Sequence, residues 1–253
     1  MGASSAIKKV LNFLVPKKAR RGFTSAVIVA GGSSTRMNGV SKQLADICGI
    51  PTVVHTLLAF ERAPEISEII VVAKADEINK YEEFKKTYRL TKLRKAISGG
   101  DSRQQSVEKG FSVISEKARF VAIHDGARCL ITPEEISAVC KQAYKYDAAT
   151  AAVKATDTIK IADSHGNIVS TPDRNSVWHA QTPQVFFTDL YRAAVAVAKK
   201  DGLEATDDCS LVEHIEHPIK LVECSRDNLK ITTPRDLAFA ASVIKERAKK
   251  KES

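Results

Sequence analysis

The chain has 253 residues, of which 43% are hydrophobic and 27% charged, and its formal net charge is +9. This is the composition of an ordinary globular protein, and no apolar run approaches the roughly 20 residues that cross a bilayer, which excludes stable membrane insertion. Residues 1–21 carry +6 and the tail from Lys245 carries +3, so the formally neutral body lacks the basic surface that nucleic-acid binding requires.

The first element in chain order is a basic N-terminal extension, residues 1–22. Apolar side chains recur at helical spacing within residues 4–15, namely Ile7, Val10, Leu11 and Leu14. The stretch is too short for a cleaved signal peptide. Two interpretations remain open, a short helix on a membrane surface and a loosely packed extension.

From Phe23 onward, short apolar runs alternate with longer amphipathic ones. The runs predicted as strands are Thr24–Ala30, Glu68–Ala73, Leu93–Ser98, Phe120–His124 and Thr150–Val153. The segments predicted as helices are Thr52–Arg62, Asp76–Tyr88, Arg103–Ser115 and Pro133–Tyr146. This alternation predicts an α/β fold with a mainly parallel, Rossmann-like sheet and helices on both faces. Ligands of such sheets bind outside the carboxyl ends of the strands.

The alternation stops after Ala155. Thr158–Ile161 and Ile168–Ser170 flank a turn-rich stretch and predict a protruding β-hairpin arm, at about residues 155–176. An isolated hairpin is marginal, so we expect the arm to dock on a second copy of the chain. Helices at Thr188–Lys200 and Asp207–His214, a strand at Ile219–Glu223 and a helix from Pro234 follow. One domain, residues 23–244, therefore precedes a basic tail, residues 245–253.

The loop after the first strand, Ala30–Met37, contains two glycines, three hydroxyl side chains and Arg36, and Lys42 follows it. Glycines let backbone N–H groups approach an anion closely. Arg36 and Lys42 suit phosphate oxygens. The spacing matches neither a P-loop nor a dinucleotide-binding turn. The loop therefore predicts a different kind of polyphosphate site.

The same loop resembles the signature of nucleotidyltransferases that act on sugar and polyol phosphates. Further motifs narrow the resemblance to the 2-C-methyl-D-erythritol 4-phosphate cytidylyltransferases of the non-mevalonate isoprenoid pathway. These motifs are Ser98–Ser106, Val121–Arg128, Asp157–Lys160, Asp173–Gln184, Ala205–Asp208 and Asp227–Thr232. The resemblance runs from about Phe23 to the last helix. It implies that CMP is transferred from CTP to a polyol phosphate and that pyrophosphate is released.

The resemblance also implies roles for individual residues. It implies that Arg36, Lys42 and Lys230 are catalytic residues that neutralise charge on the phosphates. Nucleotide binding falls to Ala30, Gly31, Gly32, Ser33, Ser34, Gly100, Asp101, Arg103 and Ser106. Binding of the polyol phosphate falls to Asp125, Arg128, Thr158, Arg174, Thr182 and Thr206. For Asp101 and Ser106, capping of the helix that begins near Arg103 is an additional interpretation.

A carboxylate after the fourth strand, Asp125, is the expected ligand of Mg²⁺ or another divalent cation, because this ion prefers oxygen ligands and phosphates. The alternative for Asp125 is a buried ion pair with Arg128. His124 is expected to be structural, since alternation along the strand points it away from Asp125. Thr158 and Arg174 lie in or beside the arm, so the resemblance implies a homodimer with shared active sites. The alternative for Arg174 is a solvated position at the base of the hairpin.

Five scattered cysteines predict neither a disulfide framework nor a zinc site, which favours the reducing cytoplasm. His214 and His217 have metal-ligand spacing, but no second ligand pair accompanies them. Cys129 follows Arg128 where the resembled family usually has proline. It is expected to be a small packed residue open to thiol reagents.

Two other functions remain as alternatives. A D-ribitol 5-phosphate cytidylyltransferase would share the loop, the fold and the leaving group. A non-catalytic scaffold, docked through its basic ends, would be expected to have lost Arg36, Lys42, Asp125 or Lys230, and all four are present.

Overall fold

The computed structural model describes residues 22–32 and 41–252. The predicted N-terminal extension up to residue 21, and the part of the glycine-rich loop that holds Ser33, Ser34 and Arg36, lie outside these residues. Among residues 22–32 and 41–252, no helix is both long enough and apolar enough to cross a membrane.

The first half of the domain alternates strands and helices as the sequence predicts. Its elements are β1 (Thr24–Val29), β2 (Asp46–Ile47), β3 (Ile50–Pro51), α1 (Thr52–Arg62), β4 (Ile66–Ala73), α2 (Ile78–Thr87), β5 (Leu93–Ser98), α3 (Arg103–Phe111), β6 (Phe120–Asp125) and α4 (Pro133–Tyr146). The short β2–β3 hairpin was not predicted, because two-residue strands have no recognisable period. Helix α3 ends at Phe111, four residues earlier than predicted.

The second half contains the arm and the closing helices. Its elements are β7 (Ala148–Lys154), β8 (Ile161–Ala162), β9 (Ile168–Ser170), β10 (Trp178–Phe187), α5 (Thr188–Asp201), α6 (Asp208–His214), β11 (Lys220–Glu223) and α7 (Pro234–Glu252). The arm is confirmed as a hairpin, but its first strand is later and shorter than the predicted Thr158–Ile161. Only Ile161 and Ala162 pair with β9, and the turn is held by the Asp163 carboxylate, which accepts two backbone N–H bonds.

Seven strands form the central sheet in the order β11-β7-β10-β6-β1-β4-β5. All neighbours are parallel except β10, which runs antiparallel to both β6 and β7. The mainly parallel α/β fold is thus confirmed, whereas β10 was not predicted as a strand. Its sequence contains polar residues and Pro183, which break the period of a strand. A register shift between Ala180 and Gln184 accommodates the proline.

A second, smaller apolar cluster lies beside the main core and contacts α7. Its buried members are Ile47, Ala127, Cys129, Leu130, Ile231, Ala240 and Val243. They come from the β2–β3 hairpin, from the loop after β6, from the segment before α7 and from α7 itself. The last helix therefore supports two loops that lie at the carboxyl edge of the sheet.

Candidate functional site

A cavity of about 390 Å³ opens at the carboxyl ends of β1, β5 and β6. The described residues that line it are Val29, Gly31, Gly32, Lys42, Gln43, Gly100, Asp101, Ser102, Arg103, Ser106, Asp125, Ala127 and Lys230. Nine of these were predicted from the sequence as site residues. The parallel strands bring them together because their carboxyl ends share one edge of the sheet.

The turn between β5 and α3 is fixed by its own side chains. Ser102 is the N-cap of α3 and accepts the N–H of Gln105 at 3.1 Å. Ser106 Oγ accepts the N–H of Gly100 at 3.0 Å and donates to the carbonyl of Ser102 at 2.9 Å. The additional interpretation that Asp101 caps this helix is therefore wrong, since the cap position falls one residue later. The exposed Asp101 side chain lines the cavity instead.

Asp125 is the anionic centre of the cavity. Its carboxylate lies 2.9 Å from Lys230 Nζ, 3.2 Å from Arg103 Nε and 3.8 Å from Arg128 Nε. Burial alone would raise the pKa of Asp125, but the cations Arg103, Lys230 and Arg128 hold this pKa well below its ordinary value. Even with Asp208, which pairs with Arg103, three cations face only two carboxylates, which leaves a net positive charge. This excess suits a polyanionic ligand.

Arg103 is held from behind by a second carboxylate. Its Nη1 lies 2.8 Å from Asp208 Oδ2, and the hydroxyl of Tyr191 donates to Asp208 Oδ1 at 2.7 Å. The Asp208 side chain is only 2% exposed, and this burial raises the pKa of Asp208. Gln184 Oε1 accepts the N–H groups of Asp208 and Cys209 and so fixes the start of α6. No role was predicted for Asp208, although it lies inside the motif Ala205–Asp208.

His124 is fully buried and structural, as its alternation with Asp125 suggests. Its Nε2 lies 3.3 Å from the carbonyl of Arg128 and must carry the proton of that bond. Its Nδ1 therefore accepts the hydroxyl of Thr182, which itself accepts the N–H of Asp125 at 3.1 Å. Burial lowers the pKa of His124 to about 3. The predicted substrate residue Thr182 is also buried, where it orients the backbone of Asp125.

The buried neutral imidazole should make stability dependent on pH. The pKa of His124 is about 3 in the folded chain and about 6.5 when unfolded, so acidification protonates the unfolded state first and lowers the free energy of unfolding. Urea unfolding between about pH 7 and pH 5 should lose less stability in His124→Gln than in the wild type. Asp125 does not interfere, because an unfolded aspartate titrates near 3.9. Equal losses in both proteins would contradict this role.

Two loops that contribute to the cavity are hydrogen-bonded to each other. Arg128 Nη1 donates to the carbonyl of Asn228 at 2.8 Å. The N–H of Ile231 donates to the carbonyl of Ala127, also at 2.8 Å. The loop that carries Arg128 is thereby tied to the loop that carries Lys230.

A family model described as 2-C-methyl-D-erythritol 4-phosphate cytidylyltransferase matches residues 24–246. The chain belongs to this family. A relative of that name from Caldanaerobacter subterraneus subsp. tengcongensis is 44% identical over 88% of this chain and 99% of its own length. Another, from Syntrophus aciditrophicus, is 42% identical over 87% and 95%.

Solved structures of the family share the fold. The crystal structure of 4-diphosphocytidyl-2C-methyl-D-erythritol synthase from Anaerococcus prevotii aligns with a TM-score of 0.80 at 29% identity, covering 88% of this chain and 99% of that one. The predicted family, enzyme class and fold are confirmed by these matches. The chain is a nucleotidyltransferase, which excludes the non-catalytic scaffold.

Three predicted substrate residues lie away from the cavity of their own chain. Thr158 and Arg174 are exposed in the arm and beside it, and Arg174 Nη1 donates to the carbonyl of Thr156 at 3.0 Å. Thr206 is exposed just before α6. Their role in binding a polyol phosphate stays a prediction.

Two predictions about individual residues need correction. Ala30 is buried, and its N–H donates to the carbonyl of Val72 at 2.7 Å, so this N–H does not bind phosphate at the same time. Cys129 is packed, as expected, but it is not open to thiol reagents. Burial raises the pKa of the Cys129 thiol to about 12, which suppresses the reactive thiolate.

Proposed function

We propose that this protein transfers CMP from CTP to 2-C-methyl-D-erythritol 4-phosphate and releases pyrophosphate, a step in isoprenoid precursor synthesis. The observation that carries the proposal is the convergence of Lys230, Arg103 and Arg128 on buried Asp125, in a cavity that Gly31 and Gly32 also line. Both substrates are water-soluble anions and all five cysteines are free, which suits the reducing cytoplasm.

In the proposed reaction, a phosphate oxygen of the polyol phosphate attacks the α-phosphorus of CTP. A new P–O bond forms as the bond from the α-phosphorus to the bridging oxygen breaks, and that oxygen leaves with pyrophosphate. The nucleophile is already anionic, so no general base has to remove a proton. Positioning and neutralisation of charge supply most of the acceleration. Lys42 and Lys230 line the cavity and provide this neutralisation.

The donors present fit a divalent cation that is held mainly by the nucleotide. Within residues 22–32 and 41–252, no group of three or more His, Cys, Asp or Glu side chains could hold a metal ion. Mg²⁺ commonly binds one or two carboxylates together with substrate phosphates. Asp125 would supply the carboxylate and exchange part of its ion pairing for the ion. When bound, Mg²⁺ would neutralise charge on the triphosphate.

The proposed active unit is a homodimer joined through the arm. Three large apolar side chains of the arm, Ile161, Ile168 and Val169, are between 49% and 65% exposed. Such a patch is typical of a surface that a partner covers. Because Arg174 lies beside the arm and outside its own cavity, we assign it to the site of the other protomer.

Subunit mixing tests this sharing. Lys42→Ala and Arg174→Ala should each be inactive, but their heterodimer would contain one intact site, built from Lys42 of one chain and Arg174 of the other. After re-equilibration, an equal mixture should recover about a quarter of wild-type activity, because half of the dimers are mixed and each has one working site. A mixture of Lys42→Ala with Lys230→Ala is the control, since both residues serve the same site. Activity no higher in the first mixture than in the control would exclude a shared site.

The substrate is tested by pyrophosphate release from CTP and Mg²⁺, with 2-C-methyl-D-erythritol 4-phosphate compared with D-ribitol 5-phosphate. We expect a clear preference in kcat/KM for the branched methylerythritol phosphate. Preference for ribitol phosphate would keep the chemistry and replace the acceptor. Absence of release with both would overturn the proposed function.

A further inference from the structure

The last helix reaches two loops of the site through one side chain, Arg247. Its Nη1 donates to the carbonyl of Leu130 at 2.7 Å, and its Nη2 lies 3.4 Å from Asp227 Oδ2. Leu130 follows Arg128 by two residues, and Asp227 precedes Lys230 by three. One guanidinium thus bridges the segment that carries Arg128 and the segment that carries Lys230.

The geometry of this bridge suits arginine. A guanidinium is a rigid planar fork, so it can hold two acceptors at a fixed separation. The Arg247 side chain is about one-third exposed, at 34%, and α7 positions it by burying Ala240 and Val243 against both loops. The bridge therefore rests on a packed helix.

Hydrogen bonds from other parts of the chain fix the loop after β6 at Gly126, Ala127 and Arg128, and Arg247 extends this support to the carbonyl of Leu130. Residues 126–131 contain no proline, so no ring restricts a φ angle there. The guanidinium of Arg128 does not use all its hydrogen-bond donors. Its buried Nε has no hydrogen-bond partner and lies 3.8 Å from Asp125. A small shift of Leu130 would change how Arg128 faces Asp125.

We propose that Arg247 is a positioning residue that sets the placement of Arg128 relative to Lys230 and Asp125. The inference rests on the proposed function, in which Arg128 binds the phosphate of the polyol and Lys230 the phosphates of CTP. This gives a role to one charge of the basic C-terminal segment from Lys245: Arg247 helps to arrange the part of the site that binds the polyol phosphate. The bond to Leu130, at 2.7 Å, is shorter than the contact with Asp227, at 3.4 Å. Lys230 also keeps its own ion pair with Asp125 at 2.9 Å, so nucleotide binding should depend on Arg247 less than binding of the polyol phosphate does.

The test compares Arg247→Met, Arg247→Lys and Lys249→Met. Methionine keeps an unbranched apolar stem and removes the donors. Lys249 is an exposed base on the same helix and controls for the loss of one positive charge. For Arg247→Met, we expect the KM for the polyol phosphate to rise about tenfold or more, the scale of a lost charge-assisted hydrogen bond. The KM for CTP should change by less than about twofold, and Arg247→Lys should fall between the wild type and Arg247→Met.

If Arg247 only stabilised the fold, its replacement would raise the KM values for both substrates alike. Equal changes in both KM values, or kinetics for Arg247→Met that match Lys249→Met, would overturn the proposal. Amide hydrogen exchange gives a readout that does not depend on activity: residues 126–131 and 227–231 should exchange faster in Arg247→Met, while residues 99–106 should not. If the wild type does not use the polyol phosphate, the proposed function fails, and unchanged exchange in the two loops would still refute the bridge separately.

Discussion

Replacing Lys230 with methionine should lower kcat by about 10²–10³-fold, the usual effect of removing one group that stabilises developing charge. Lys230 Nζ lies 2.9 Å from Asp125 and lines the cavity. A methionine fills nearly the same volume without the charge. The loss should therefore appear in turnover more than in folding.

Pyrophosphate release under saturating CTP and polyol phosphate measures this effect. Lys95→Met is the control, because Lys95 is an exposed lysine on β5; its kcat should stay within about twofold of the wild type, as for a surface substitution. A Lys230→Met enzyme that keeps more than about a third of wild-type kcat would remove Lys230 from the proposed mechanism.

The second large effect concerns stability. Asp208→Ala should reduce the free energy of unfolding by about 3 kcal/mol, the lower part of the range for breaking a buried ion pair from one side. The substitution leaves the buried hydroxyl of Tyr191 without its acceptor and takes one of two carboxylates from Arg103. The effect lies at the lower end because Arg103 keeps its contact with Asp125.

Urea denaturation of the wild type, Asp208→Ala, Tyr191→Phe and the double variant measures this effect and its coupling to Tyr191. The double variant should lose less stability than the two single losses together, because both remove the same hydrogen bond. Asp189→Ala is the control, since Asp189 is 59% exposed and lies 3.9 Å from its partner Arg192. It should cost less than about 1 kcal/mol. If Asp208→Ala and Asp189→Ala lose similar free energy of unfolding, the buried ion pair stabilises the fold no more than an exposed one does.

Much of this architecture is visible in the sequence because the physics is local. Runs of Val and Ile such as those in β1 and β4 are typical of buried strands. Gly31 and Gly32 indicate a tight turn whose backbone can approach a ligand. The parallel topology then follows from the alternation of strands and helices. It brings Gly31, Gly100 and Asp125 to one edge.

What the sequence could not supply depends on distant pairings. Strand β10 gains its place from β6 and β7, and nothing in the local pattern of Trp178–Phe187 predicts an antiparallel strand between them. Asp208 and Arg103 are 105 residues apart in the chain, so only the folded structure shows that one holds the other. The same holds for Arg247, whose contact with Leu130 spans 117 residues.

The position of β10 has a consequence for synthesis on the ribosome. Both sheet neighbours of β7, which are β10 and β11, lie later in the chain than β7 itself. A nascent chain that has reached Lys154 therefore carries strands with open edges, the kind of surface that associates with other chains. Lys230 and α7 emerge last of all. Translation thus supplies the glycine turn and Asp125 well before the cation that completes their cavity, and a product truncated before Lys230 would lack both that cation and the part of α7 that covers the second apolar cluster.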